Sequence, residues 1–266
     1  MSPELNNIKS IAAFWLGMFC VLLAAGCAAK NPYLEIGERK LAEGDDAAAI
    51  EQFSEAIQLD QRSLPAYFGR GKAYENQHAF GFAIADFELV LLLDPKHLPA
   101  KERLVAAWLE TGEGYKAREQ LKEIEKKMPP RQYLFARGRA ELQCGEAKAA
   151  KEYLDRLLAA DPQHSQGAYY RGVANSNLGE LELAEADFSK NIELSPKNAA
   201  SYWRRALVRE RLNQKNLAEA DRKIAGELDP THRFAETEIG KNMIEMLKGI
   251  GANDTTLQPV SNKSRE

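Results

Sequence analysis

Ser165 to Asn198 reads SQGAYYRGVANSNLGELELAEADFSKNIELSPKN. Gly172 stands at the eighth place of this stretch, Gly179 at the fifteenth, Ala184 at the twentieth, Phe188 at the twenty-fourth, and Pro196 closes it. The glycine at the fifteenth place separates two runs of helical periodicity. Proline near the end stops the second run, because it lacks an amide proton and clashes with the preceding turn. Counting from each closing proline or its equivalent gives the same frame starting at Lys30, Leu64, Leu98, Arg131, Ser165 and Ala199, with spacings of 34, 34, 33, 34 and 34. The eighth place holds Gly37, Gly71, Gly138, Gly172 and Ala206, with Val105 the exception. The fifteenth holds Gly44, Gly112, Gly145 and Gly179, with His78 and Asn213 departing. The twentieth is Ala49, Ala83, Ala117, Ala150, Ala184 and Ala218, and the twenty-fourth is Phe53, Phe87, Leu121, Leu154, Phe188 and then Arg222. Periodicity of this length marks a stack of helical hairpins, in which small residues let two axes approach and the bulky one fills the gap beside them.

The register resembles the tetratricopeptide repeat. The resemblance implies an all-α, right-handed superhelical solenoid of about six helix pairs, over residues 30–63, 64–97, 98–130, 131–164, 165–198 and 199–232. Phe234, Ile239, Met243, Ile244, Met246 and Leu247 follow at helical spacing and predict a capping helix over 233–249, before a polar tail at 250–266. In this family the first helix of each repeat lines a concave surface. Its fifth places here are Leu34, Phe68, Glu102, Phe135, Tyr169 and Trp203, and its ninth places Glu38, Lys72, Ala106, Arg139, Val173 and Leu207. The resemblance therefore points to a partner-binding groove of Phe68, Lys72, Phe135, Arg139, Tyr169, Trp203 and Arg204, with rings and cations suited to an extended peptide or an amphipathic helix. The Lys and Asn that the family's carboxylate-clamp members carry at the fifth and ninth places are missing, which disfavours chaperone C-termini as ligands.

Ahead of the repeats, Met1 to Ser10 is polar and Ile11 to Ala25 is apolar. Fifteen helical residues reach roughly 22 Å, short of a hydrocarbon core of about 30 Å, so a signal peptide over 1–26 is expected and a membrane span is not. Leu23-Ala24-Ala25-Gly26-Cys27 resembles the lipobox of bacterial lipoproteins, although Ala24 stands where Leu is preferred. That resemblance implies acylation of Cys27, a lipidated terminus at 27–29, and tethering to an envelope membrane. Ala28 after the cysteine resembles an outer-membrane address facing the periplasm. The rival expectations are a structural, peptidoglycan-associated lipoprotein and a cytosolic repeat protein with an accidental apolar start.

Thirty-six basic against 39 acidic side chains give a net charge of −3, which offers nothing to neutralise nucleic-acid phosphates. Lys30–Ser63 is net −4 and Ala199–His232 net +2, with Arg204, Arg205, Arg209 and Arg211 on one helix. These arginines read as a solvated face or as a basic patch for an acidic segment. His78, His97, His164 and His232 fall in or near turns as solvated residues, and no pair has metal-ligand spacing. There is no phosphate loop and no nucleophile turn, the carboxylates read as outward charge, and three cysteines cannot make a disulfide scaffold. The two resemblances together imply a scaffold or adaptor with envelope protein partners, without catalysis, cofactor or small-molecule substrate. The plan resembles repeat lipoproteins that assist pilus secretin assembly or tether envelope hydrolases.

Overall fold

A computed structural model describes residues 31–231. Cys27, the expected signal and lipidated segments, His232, the expected 233–249 helix and the expected tail lie outside the described residues. The described chain forms twelve helices and no strand. They are α1 Pro32–Glu43, α2 Asp46–Leu59, α3 Leu64–Asn76, α4 Phe80–Leu93, α5 Leu98–Thr111, α6 Gly114–Ile124, α7 Pro130–Gln143, α8 Ala147–Ala160, α9 Ser165–Leu178, α10 Leu181–Leu194, α11 Ala199–Arg211 and α12 Lys215–Leu228. Odd-numbered helices are the first and even-numbered the second of each repeat, as the register requires.

Helix starts follow from local chemistry. Asn31 accepts from the Tyr33 amide and Asp45 from the Ala48 amide, while prolines occupy the first turns of α1, α3 and α7, where no intrahelical donor is needed. His97 and His164 turn out to be N-caps: Nδ1 of each accepts an amide proton, from Ala100 at 3.1 Å and Gly167 at 2.9 Å. Both rings are half-buried, lying 5.0 Å from Phe68 and 4.9 Å from Phe135, so the expectation of solvated turn histidines is corrected for these two. Every hairpin turn has a left-handed residue at the fifteenth place. The four glycines adopt φ of 78° to 83°, and His78 and Asn213 adopt 57° and 61° in the same role. The two departures in sequence are therefore not departures in backbone, since His and Asn tolerate this region better than most side chains.

The chain divides into two compact units, one ending at Ala100 and one beginning at Lys101. In the first, α1, α2, α3 and α4 pack in sequence, and α1 also meets α3. Its core joins Ala49, Phe53, Ala56, Ala66 and Ala73, with Tyr33 and Leu34 against it. In the second, α6 through α12 pack in sequence, and the first helices α7, α9 and α11 touch their neighbours in turn. One core cluster there joins Val173, Ala184, Phe188 and Val208, flanked by Tyr169 and Leu142. All six alanines at the twentieth place are at most 1% exposed. The eighth and twenty-fourth places interlock: a Cβ built on Gly37, Gly71, Gly138 or Gly172 would lie 2.7–2.9 Å from Phe53, Phe87, Leu154 or Phe188 respectively. That spacing leaves no room for a methyl group.

Candidate protein-binding face

In the second unit the aromatic residues of α7 and α9 form a ladder. Phe135 lies 5.7 Å from Tyr170, which lies 5.2 Å from Tyr169, both edge-on. The Arg139 guanidinium sits over Tyr170 at 5.1 Å and over Phe135 at 5.7 Å. Its Nη2 donates to Glu110 at 2.9 Å and to the Leu109 carbonyl at 3.3 Å. One repeat on, Arg204 donates from Nε to the Tyr169 hydroxyl at 2.6 Å and stacks over that ring at 5.5 Å. Gln143 reaches the Leu109 carbonyl at 2.8 Å, and Arg211 the Ser176 carbonyl at 3.1 Å. Each bond crosses from one first helix to the first helix of the adjacent repeat. Cation–π contacts of this kind contribute about 0.5–2 kcal/mol each, more as water is excluded. The ladder therefore sets the pitch of the face at the same time as it forms its surface.

Phe135, Arg139, Tyr169 and Arg204 are brought together by this arrangement. Trp203 neighbours Arg204 on α11 and is half-buried, with Arg222 over its ring at 5.7 Å. Phe68 and Lys72 belong to the first unit; both are half-buried on α3, and Phe68 packs edge-on to His97 and 5.9 Å from Phe87. The cations differ from expectation. Arg204 is only 7% exposed, and Arg139 is bound between rings and Glu110, so both act as struts between helices before they can serve a ligand. Val173, at a ninth place expected on the groove, belongs to the core.

Tyr170, at the sixth place, was not singled out by the register, yet it is the centre of the ladder. Burial raises its phenol above the ordinary tyrosine range, with Arg139 opposing. A second feature missed from sequence is an arginine clamp at the seventh place. Arg70 donates to Asp86 from Nε and Nη2 at 2.9 and 2.8 Å and to Ser54 of the preceding repeat at 3.1 Å. Arg171 repeats this with Asp187 and Asp155, and Arg205 with Asp221 and Ser189. Each arginine precedes its aspartate by sixteen residues, a signal present in the sequence and carried by three of the six frames. Asp86, Asp187 and Asp221 are 2–5% exposed, which corrects the reading of these carboxylates as solvated charge. Hydrogen bonds to Asp86 and Asp187 raise the Arg70 and Arg171 guanidinium groups further above their ordinary range. Arg209 also pairs, with Glu185 and Asp221 at 2.8 Å, so the arginines of α11 form a bound network and not a free basic patch.

Cys144 is a free thiol, half-buried at the end of α7, and desolvation pushes its ionisation up, away from nucleophile chemistry at neutral pH. Among the described residues no group of three or more His, Cys, Asp or Glu side chains could hold a metal ion, and no helix is long and apolar enough to cross a membrane.

A tetratricopeptide-repeat family model matches residues 132–164, the fourth frame of the register. A tetratricopeptide repeat protein from Parabacteroides merdae superposes with a TM-score of 0.61 at 17% identity, covering 82% of this chain and 87% of that one. Pseudomonas aeruginosa pilF superposes at 0.58 with 16% identity, covering 77% and 94%. The described chain has the tetratricopeptide-repeat fold. Among curated relatives, a UDP-N-acetylglucosamine–peptide N-acetylglucosaminyltransferase of Giardia intestinalis is 34% identical over 65 residues, or 24% of this chain. The tetratricopeptide repeat and J domain-containing co-chaperone DNJ1 of Cryptococcus neoformans is 33% identical over 84 residues, or 32% of this chain. This chain spans only 4% and 16% of those two proteins, so the shared part is a short stretch of each.

Proposed function

We propose that this tetratricopeptide-repeat protein is a non-enzymatic interaction scaffold, held at a bacterial envelope membrane by acyl chains on Cys27. In this reading it binds a peptide or helix of an envelope assembly, secretion or pilus-type partner along the first helices of the second unit. The observation that carries the binding reading is the ladder Phe135–Tyr170–Tyr169, with Trp203 half-buried on the next first helix. Its rings are half-buried and held by arginines, so they meet a ligand with little further ordering, which is where aromatic anchors gain their advantage. The membrane part rests on the lipobox-like Leu23–Cys27 and the apolar run before it.

Affinity capture from envelope extracts tests the binding reading. The double variant Tyr169→Ala, Trp203→Ala is expected to lose a defined envelope partner while circular dichroism shows intact helices. Tyr169→Phe, which removes only the hydroxyl that accepts from Arg204, is expected to retain it. Undiminished capture by the double variant contradicts the face. Fatty-acid labelling that is equal in wild type and Cys27→Ser contradicts the anchor independently.

A further inference from the structure

The outer side of α4 carries an apolar stripe that the groove does not use. Phe82, Ala85, Leu89 and Leu92 follow one another at intervals of three, four and three residues, and all four are exposed. Phe82 is 66% and Leu92 76% accessible, high values for large apolar side chains. The fold does not demand this. The same four repeat positions in α2 are Ala48, Glu51, Glu55 and Gln58, and in α8 Ala149, Glu152, Arg156 and Ala159. Among the described second helices, α4 alone is apolar at all four. The side of Phe82 is fixed by stacking on Tyr74, with ring centroids 5.1 Å apart, so the stripe is a preset surface.

We infer that this stripe is a second docking surface, distinct from the aromatic ladder, and that its occupant is a basic amphipathic helix of a protein partner. The spacing is that of one helix seam, and Phe82 to Leu92 covers roughly 15 Å, about three turns of an apposed helix. Charge selects the occupant. Residues 31–100 carry twelve acidic and six basic side chains, net −6, whereas residues 101–231 are net +2. Glu88 flanks the stripe, and Glu51 and Glu55 hold the equivalent outer positions of α2. A second copy of this acidic unit or an anionic bilayer meets like charge there; a helix with lysine or arginine beside its apolar seam meets opposite charge.

Two synthetic helical peptides of eighteen residues serve as probes, with the same leucine seam and either lysine or glutamate at the flanking positions. Titration of the full chain at low salt is expected to show at least tenfold tighter binding of the lysine peptide. Phe82→Ser with Leu92→Ser, neutral changes on an outward face, is expected to weaken it at least tenfold. Trp203→Ala, on the other surface, is expected to leave it unchanged, so loss of the ladder and loss of the stripe are distinguished. Leu92→Gln alone serves if the double variant loses helicity. Equal binding of both peptides, or no effect of the α4 substitutions, overturns the inference. So does a wild-type dimer in sedimentation that these substitutions dissolve, which would assign the stripe to a second copy. Loss of binding to phosphatidylglycerol vesicles by the same variants would assign it to a membrane and overturn it equally.

Discussion

Gly172 and Phe188 show how tightly single residues are bound to the register. A Cβ at 172 would stand 2.9 Å from the Phe188 ring, whose own place is fixed at 1% exposure. Gly172→Ala is expected to destabilise by about 1–3 kcal/mol through overpacking, measured by urea unfolding. The opposite sign is expected at His78, which holds φ 57° in a turn where the other repeats mostly use glycine. His78→Gly relieves a left-handed conformation that costs an L-residue roughly 1–2 kcal/mol, offset by a more flexible unfolded chain and a lost contact with Phe80, for a net gain below about 1 kcal/mol. Tyr170 adds a pH signature. Because burial raises its folded ionisation above that of the unfolded chain, its neutral form is the stable one: its contribution is complete below about pH 10, the ordinary phenol value, and is lost as pH rises through the folded value. Ultraviolet titration should show one more late-ionising phenol in wild type than in Tyr170→Phe, where Tyr133, also raised by burial, remains. The small and bulky residues were legible because each acts through size alone. Tyr170 was not, because its role depends on which neighbour's arginine reaches it, and that is a tertiary fact.

At the scale of helices, the three arginine clamps tie α4, α10 and α12 each to the helix before it and to the preceding repeat. Asp221 accepts from both Arg205 and Arg209, so Asp221→Ala is expected to cost the most of the three clamp aspartates, about 3–5 kcal/mol for a broken buried pair. The third repeat lacks the device: its seventh place is the buried Leu104 and its twenty-third is Gln120. Its second helix, α6, is eleven residues long where α10 has fourteen. Amide hydrogen exchange should therefore be faster in α6 than in α10, since local opening follows the weakest set of contacts. Uniform protection of the two helices would show that the clamps do not govern local stability. The clamp was readable as an Arg–Asp pair sixteen residues apart, but charge on a helix surface carries no label for burial. The four arginines of α11 misled for the same reason: they read as a solvated face or a basic patch, and their geometry makes a network.

For the molecule, frame, helix order and alternation were all available from the thirty-four-residue period, because a hairpin that cannot bury its apolar side alone must keep register with the next. The proposed binding surface was half legible. Its fifth-place rings followed from the register, while Tyr170 at its centre, the employment of Arg139 and Arg204 as struts, and the core position of Val173 needed coordinates. The surface that results is aromatic and braced by arginines in the second unit, with an acidic first unit carrying a separate apolar seam. Site-specific photo-crosslinking in living cells tests the binding face most directly. Gln166 is exposed on α9, three residues before Tyr169, and Glu152 is exposed on the second helix α8. A photoreactive residue at Gln166 is expected to yield a discrete adduct with an envelope protein and one at Glu152 none; adducts at Glu152 alone, or at neither position, would contradict it.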